Sequence, residues 1–242
     1  MCRLFAVLAN KPVKVKAAFR SLADQSKEHK DGWGVVQLDA SEPRVDRGLD
    51  PAGQCPRFAS LSESLQSRAL LAHIRLASVG PVTLQNNHPF VGRGWAFMHN
   101  GTVKNWGPHQ AEVEALIPDE LRANLTGQTE SERCFALFLS YLQSNALDDA
   151  ARALAKALRT VVSRCDHDAE TKAALNFLAS DGKRLLATRH GRSLWLHQDE
   201  GVRILASERM WPEGQWDELS DGELVTIDAD LSVRRMRVLD LA

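Results

Sequence analysis

No window of the 242-residue chain approaches the ~18 uninterrupted apolar residues of a membrane span. The opening stretch, "CRLFAVLANKPVKVKAAF", has only about six apolar residues before polar ones return, too few for the core of a signal peptide. Cysteine is scarce. Cys2, Cys55, Cys134 and Cys165 form the whole set, with no CxxC and no paired spacing. A disulfide framework is therefore not expected. Without an export signal, the expected compartment is a reducing cytoplasm. No long basic run occurs, and 30 basic against 31 acidic side chains leave a net charge of −1. Neither nucleic acid nor a membrane is an expected partner. Zinc-site spacing is missing as well: there is no HExxH and no cysteine pair, so no metal is expected. "GRG" at 92–94 lacks the glycine spacing and the helix of a phosphate loop, and no cofactor is expected. "CDHD" at 165–168 reads as the polar end of a helix. No glycine-serine linker and no repeat divides the chain.

What is present reads as strands, then helices, then strands. "RLFAVLA" is an opening strand buried on both faces. "VKVKAAFRSLAD" has helical spacing through Val13, Ala17, Phe19 and Leu22. "GWGVVQLD" and "ALLAHIRLAS" are strands, separated by a loop over 40–56 with at most a short strand in it and a short helix in "RFASLSESLQ". "GPVTLQNNHPFVGRG" carries the punctuation of a long loop, and "WAFMHNG" is a strand ending at Asn-Gly. The period then changes. "SERCFALFLSYLQS" places Phe135, Phe138, Leu139 and Leu142 on one helix face, with a start at Ser131 and Glu132. "DDAARALAKALRTVVSRC" does the same with Leu154, Leu158, Val161, Val162 and Cys165. "LNFLASDGKRLLATRHG" is a hairpin around Asp181-Gly182. "SLWLHQ", "RILASE", "ELVTIDA" and "LSVRRMRV" follow as strands. The order predicts one α+β domain of stacked, mainly antiparallel sheets covered by helices. The regular βαβ alternation of a doubly wound sheet is absent.

The chemistry gathers at strand ends. Cys2 stands one residue from the start, so removal of Met1 would give it a free α-amine, a nucleophile with its own base attached. "AHIRLAS" (72–78), "NNHPF" (86–90) and "MHNGTV" (98–103) concentrate polar residues. Each has an ordinary reading: His73 and His99 as core histidines, Arg75 as a surface cation, Asn100-Gly101 as a hairpin turn. Together they suit amide cleavage by a thiol. An asparagine amide and the next glycine N–H can serve a developing oxyanion, and an arginine fork suits the carboxylate of an amino-acid substrate.

The set "MCRLF", "DGWGV", "HIRLAS", "NNHPF", "HNGTV" and "TESE", in that order from residue 2, resembles the class-II glutamine amidotransferases. The nearest likeness is to short, single-domain bacterial members related to γ-glutamyl amidohydrolases. The resemblance implies an N-terminal-nucleophile hydrolase with a four-layer αββα sandwich and one amidotransferase domain over residues 1–242. It implies Cys2 as nucleophile, its α-amine as proton shuttle, and Asn100 and Gly101 as oxyanion hole. Arg75 resembles the residue that grips the substrate α-carboxylate. Glu130 sits where the family usually has the aspartate that binds the α-amino group, keeping the charge and adding one methylene. Ser78 stands near a threonine of many relatives, and Val79 replaces a histidine of the larger synthases. Trp33 and Gly34 are expected in the pocket wall, and His73, His88 and His99 as supporting hydrogen-bonders. The implied activity is cleavage of the side-chain amide of glutamine or a γ-glutamyl compound through a thioester. Two alternatives stand beside it: an ammonia-supplying subunit for a separate synthetase, and a catalytically silent binding module. Oligomeric state is left open.

Overall fold

The computed structural model describes residues 2–143, 146–166 and 173–241. Two antiparallel sheets lie face to face, with helices on both outer faces. The seven-stranded sheet has the order β11-β9-β10-β1-β4-β2-β3. Here β1 is Arg3–Lys14, β2 Trp33–Gln37, β3 Arg44–Gly48, β4 Gln66–Ile74, β9 Trp195–Asp199, β10 Val202–Ala206 and β11 Trp216–Glu218. The six-stranded sheet has the order β13-β12-β8-β7-β6-β5. Its strands are β5 Phe90–Gly92, β6 Trp95–Asn100, β7 Asn176–Ser180, β8 Leu185–Thr188, β12 Glu223–Ile227 and β13 Val233–Arg237.

Period-two alternation builds the layers. On β1, Leu4, Ala6 and Leu8 face the other sheet and meet Ala96, Met98, Leu178 and Val225. Phe5 and Val7 point the opposite way, with Trp33, Val35, Leu70 and Ile74, onto α1 (Lys16–Gln25) and α2 (Pro56–Ser64). The outer face of the second sheet, through Trp95, Phe97, Phe177 and Leu186, packs on α5 (Glu130–Tyr141) and α6 (Leu147–Cys165). The central strands are therefore buried on both faces, which is why they read as continuous apolar runs. Each fully buried Phe or Leu adds on the order of 1.5–3 kcal/mol. Among the described residues no helix is long and apolar enough to cross a membrane.

Several local expectations change. Val13, read as a helix residue, belongs to β1, whose pairing resumes at Val13↔Ser67 after an irregularity beyond Leu8. The following helix starts at Lys16. The helix read as starting at Ser131 begins at Glu130, because Thr129 caps it by accepting the Glu132 N–H at 3.4 Å. Two helices were not foreseen, α3 (Trp106–Glu114) and α4 (Asp119–Arg122). Both are short and carry few buried apolar residues, so neither shows a clear period. The strands β5 and β11, three residues each, are too short to show a period in the sequence. The Asp181-Gly182 hairpin is present, tightened by Asp181 Oδ1, which accepts from the N–H groups of Lys183 and Arg184. Of the segment 165–168, Cys165 ends α6 and Asp166 caps it, while 167–168 lie outside the described residues.

Candidate active site

Strand parity brings the polar strand ends together. Cys2 continues the Leu4–Ala6 side of β1, and Asn100 continues the Ala96–Met98 side of β6, so both belong to the inter-sheet face. Arg3 pairs with Ile74, which sets Cys2 beside the residues just after β4. There Cys2 Sγ lies 3.4 Å from the Leu76 N–H and 3.5 Å from the Leu76 carbonyl. Cys2, Arg75, Ser78, His88, Gly101 and Glu130 line one small cavity of about 20 Å3, with His99 also on its wall. A second cavity of about 150 Å3 shares Cys2, Ser78 and Gly101 and adds Asn100, Thr102 and Arg192. A larger one of about 460 Å3, between β5 and α5, contains none of the expected site residues and no thiol.

Arg75 is buried, and its guanidinium is held by the loop that follows it. Nη1 donates to the Pro81 carbonyl at 3.1 Å and Nη2 to the Val79 carbonyl at 3.0 Å. Burial lowers its pKa, opposed by the charges of Cys2, Asp31 and Glu130. Glu130 is also buried, and one oxygen accepts from the Val103 N–H at 3.4 Å. Burial pushes its carboxyl up, opposed by hydrogen bonds from its own and the Val103 N–H and by the charge of Arg75. Cys2 is pushed above the usual cysteine range by burial, with the Leu76 backbone and the Arg75 charge pulling the other way. The thiol is therefore neutral near pH 7 and needs a base to become a nucleophile.

Gly101 is required by geometry. Its φ is +153°, a region open essentially to glycine alone, and a Cβ there would stand 1.9 Å from the Ala174 carbonyl oxygen. Gly101→Ala is expected to lower stability by roughly 2–6 kcal/mol, from about 1–3 for backbone strain and about 1–3 for overpacking. That corresponds to a fall in Tm of roughly 4–24 °C, at about 2–4 °C per kcal/mol for a chain of this size. An unchanged Tm in a thermal melt would mean that the corner relaxes freely.

The histidines divide. His99 bonds on both sides: one ring nitrogen lies 2.8 Å from Ser131 Oγ and the other 2.8 Å from the Ala174 carbonyl. Burial pushes it down to about 4. His73 bonds the His99 backbone, but its Nε2 has no partner among the described residues. Burial and then the Arg75 charge push it down to about 3. His88 makes no ring hydrogen bond among the described residues and instead packs between the rings of His73 (4.4 Å) and Phe90 (4.7 Å). Burial, then the His73 charge, hold it well below the usual histidine range. All three are neutral at pH 7. Only His99 is a hydrogen-bonder on both ring nitrogens.

Trp33 is not in the pocket wall. Parity turns its ring away from Cys2 into the layer under α1 and α2, edge-on to Phe58 at 5.1 Å. Gly34 acts at one remove, since a Cβ there would meet the His88 carbonyl at 1.9 Å. It lets the segment carrying His88 lie directly on β2. Ser78 bonds Thr102 Oγ1 at 2.8 Å and bridges the two loops above the cavities. Four scaffold residues were not singled out from the sequence. Asp31 accepts the Ala77 N–H at 2.8 Å. Asn86 joins Pro81 to Gln128 by bonds of 2.8 to 3.0 Å. Asn87 ties Arg75 to the Gly48 carbonyl. Glu132 accepts from the N–H groups of Thr126 and Gly127, both at 2.9 Å. The repeated asparagine in "NNHPF" was the available signal for two of them. Among the described residues no group of three or more His, Cys, Asp or Glu could hold a metal ion.

Comparison with known proteins gives a consistent result. The sequence profile described as "Glutamine amidotransferases class-II" matches residues 1–200. The chain is 32% identical over 200 residues to the γ-glutamyl-hercynylcysteine sulfoxide hydrolase of Mycolicibacterium smegmatis, covering 81% of this chain and 77% of that one. It superposes on a glutamine aminotransferase class-II domain protein from Silicibacter pomeroyi with a TM-score of 0.73 and 26% identity, over 98% and 99% of the two chains. The glutamine phosphoribosylpyrophosphate amidotransferase of Bacillus subtilis gives a TM-score of 0.70 at 15% identity, over 98% of this chain and 49% of that one, a likeness of fold.

Proposed function

The chain belongs to the class-II glutamine amidotransferases, enzymes with the N-terminal-nucleophile fold, and on that premise we propose that it cleaves the side-chain amide of glutamine or a γ-glutamyl compound through a thioester on Cys2. The same reading takes residues 1–242 as one amidotransferase domain. The observation that carries the proposal is the lining of one cavity by Cys2, Arg75, Glu130 and Gly101. A guanidinium and a carboxylate there match the two charges of an α-amino acid, with a thiol within reach of its side chain.

The base follows by elimination among the groups near Cys2. The three histidines are held too low to take a proton well at neutral pH. An α-amine, with a pKa of roughly 7.7–8.0, is well matched. Cys2 carries one once Met1 is removed; Met1 itself lies outside the described residues. The thiol proton passes to that amine and sulfur bonds the amide carbon. Asn100 and the Gly101 N–H stabilise the oxyanion. The C–N bond breaks as the proton is returned to the departing nitrogen. Water then hydrolyses the thioester to glutamate and restores the thiol.

The small cavity holds about one water's volume. The glutamyl group therefore enters as the 79–81 loop releases Arg75, the guanidinium exchanging loop carbonyls for the substrate carboxylate.

A glutamine-like electrophile such as a diazoketone tests this reading. It is expected to add once, at Cys2, and to end amide hydrolysis. Cys134 and Cys165 are buried, and burial raises both thiols, Cys165 to about 11. Peptide mapping that finds the label on Cys55, Cys134 or Cys165 would move the nucleophile elsewhere. Intact mass showing Met1 retained in fully active protein would remove the α-amine from the mechanism.

A further inference from the structure

The cavity beyond Cys2 is much larger than ammonia needs. It measures about 150 Å3, whereas a water-sized group needs about 10–15 Å3. Its polar lining is one-sided. Ser78, Asn100, Thr102 and Arg192 contribute hydroxyls, an amide and one cation, and no carboxylate lines it. Arg189, three residues before Arg192, is paired with Glu218 at 2.9 Å. No carboxylate is paired with Arg192 among the described residues.

The turn carrying Arg192 is fixed to the Asn100 corner. Asn176, fully buried, is the strand partner of Asn100. Its side-chain nitrogen donates to the carbonyls of Arg192 (3.1 Å) and Ser193 (3.0 Å), and its oxygen accepts from the His190 N–H (2.9 Å). Arg189 Nε donates to the Arg192 carbonyl at 2.9 Å, and Asp221 accepts the Gly191 N–H at 2.7 Å. An exposed arginine thus sits on a pinned backbone at the mouth of a cavity that opens on Cys2.

We propose that this cavity is the leaving-group subsite, that Arg192 binds a carboxylate on the departing amine, and that the preferred substrate is a γ-glutamyl amide of an amino acid or small peptide rather than glutamine. This rests on the thioester reading above. Arg75 and Glu130 take the two charges of the glutamyl half on one side of Cys2, and Arg192 takes the third charge on the other. Ammonia offers Arg192 nothing to bind.

The test compares three substrates with the purified trimmed protein: glutamine, γ-glutamylglycine and γ-glutamylethylamide. The last two leave amines of similar length, one carrying a carboxylate and one neutral. Glutamate release gives kcat/KM for each. The wild-type protein is expected to favour γ-glutamylglycine over γ-glutamylethylamide by about tenfold, the scale of one charge-assisted hydrogen bond. Arg192→Gln should bring that ratio close to one, and Arg192→Lys should restore part of it. A ratio near one in the wild type, or a ratio unchanged by Arg192→Gln, overturns the subsite while hydrolysis of the substrates leaves the parent reading standing. Equal loss on both amides in Arg192→Gln also overturns it, and makes Arg192 a residue of the turn alone. Failure to hydrolyse any of the three overturns both readings.

Discussion

Cys2→Ala is expected to abolish amide hydrolysis, with kcat falling by on the order of 10⁶, the scale seen when a catalytic nucleophile is removed. The fold should be untouched. Among the described residues Cys2 Sγ has two long hydrogen-bond contacts, both to the Leu76 backbone, and it is half-buried rather than a core side chain. No other thiol can take over. Cys134 and Cys165 lie under the helices of the second sheet, and burial holds both as neutral thiols. Cys55 packs with the α1–α2 layer on the far side of the seven-stranded sheet. Glutamate release and a thermal melt on the same preparation decide the matter. A folded Cys2→Ala protein that keeps more than about 1% of activity would exclude the nucleophilic role altogether.

Asn100→Ala should lose roughly a hundred- to a thousandfold in kcat, or about 2.7–4 kcal/mol of transition-state stabilisation, the usual cost of one oxyanion donor. KM should move little, because the oxygen it serves becomes fully charged only in the transition state. Stability should hold or rise. The Asn100 Oδ1 is buried without a hydrogen-bond partner among the described residues, and alanine removes that unsatisfied acceptor. Arg75→Lys should fail differently, mainly by raising KM. Its target carboxylate is the same in ground and transition states, and an ammonium cannot reproduce the two-pronged grip of the guanidinium fork on it. Steady-state kinetics of the two variants separate chemistry from binding. Near-normal kcat in a folded Asn100→Ala enzyme would leave Asn100 as a turn residue only.

The sequence by itself determined the layering and the family. Alternating and continuous apolar runs named the central strands, and helical spacing named α5 and α6, because these elements are long and their periods reflect faces that are actually buried. Six ordered motifs from Cys2 onward pointed to the family and to Arg75, Asn100, Gly101 and Glu130. Only the tertiary structure decided the rest. Trp33 reads as a pocket residue beside glycines, yet strand parity across β2 turns it into the opposite layer. His73, His88 and His99 read alike, yet only their neighbours show that one bonds on both sides and another on neither. Asn86 and Asp31 hold loops whose partners, Gln128 and Ala77, lie far along the chain, and no local pattern encodes such contacts. Arg192 was invisible for the same reason. Its role depends on Asn176 pinning a turn beside a strand end 92 residues earlier, at Asn100. Periodicity is a local property of a chain. A cavity is made where distant segments meet, and its charge is fixed by which of them arrive unpaired.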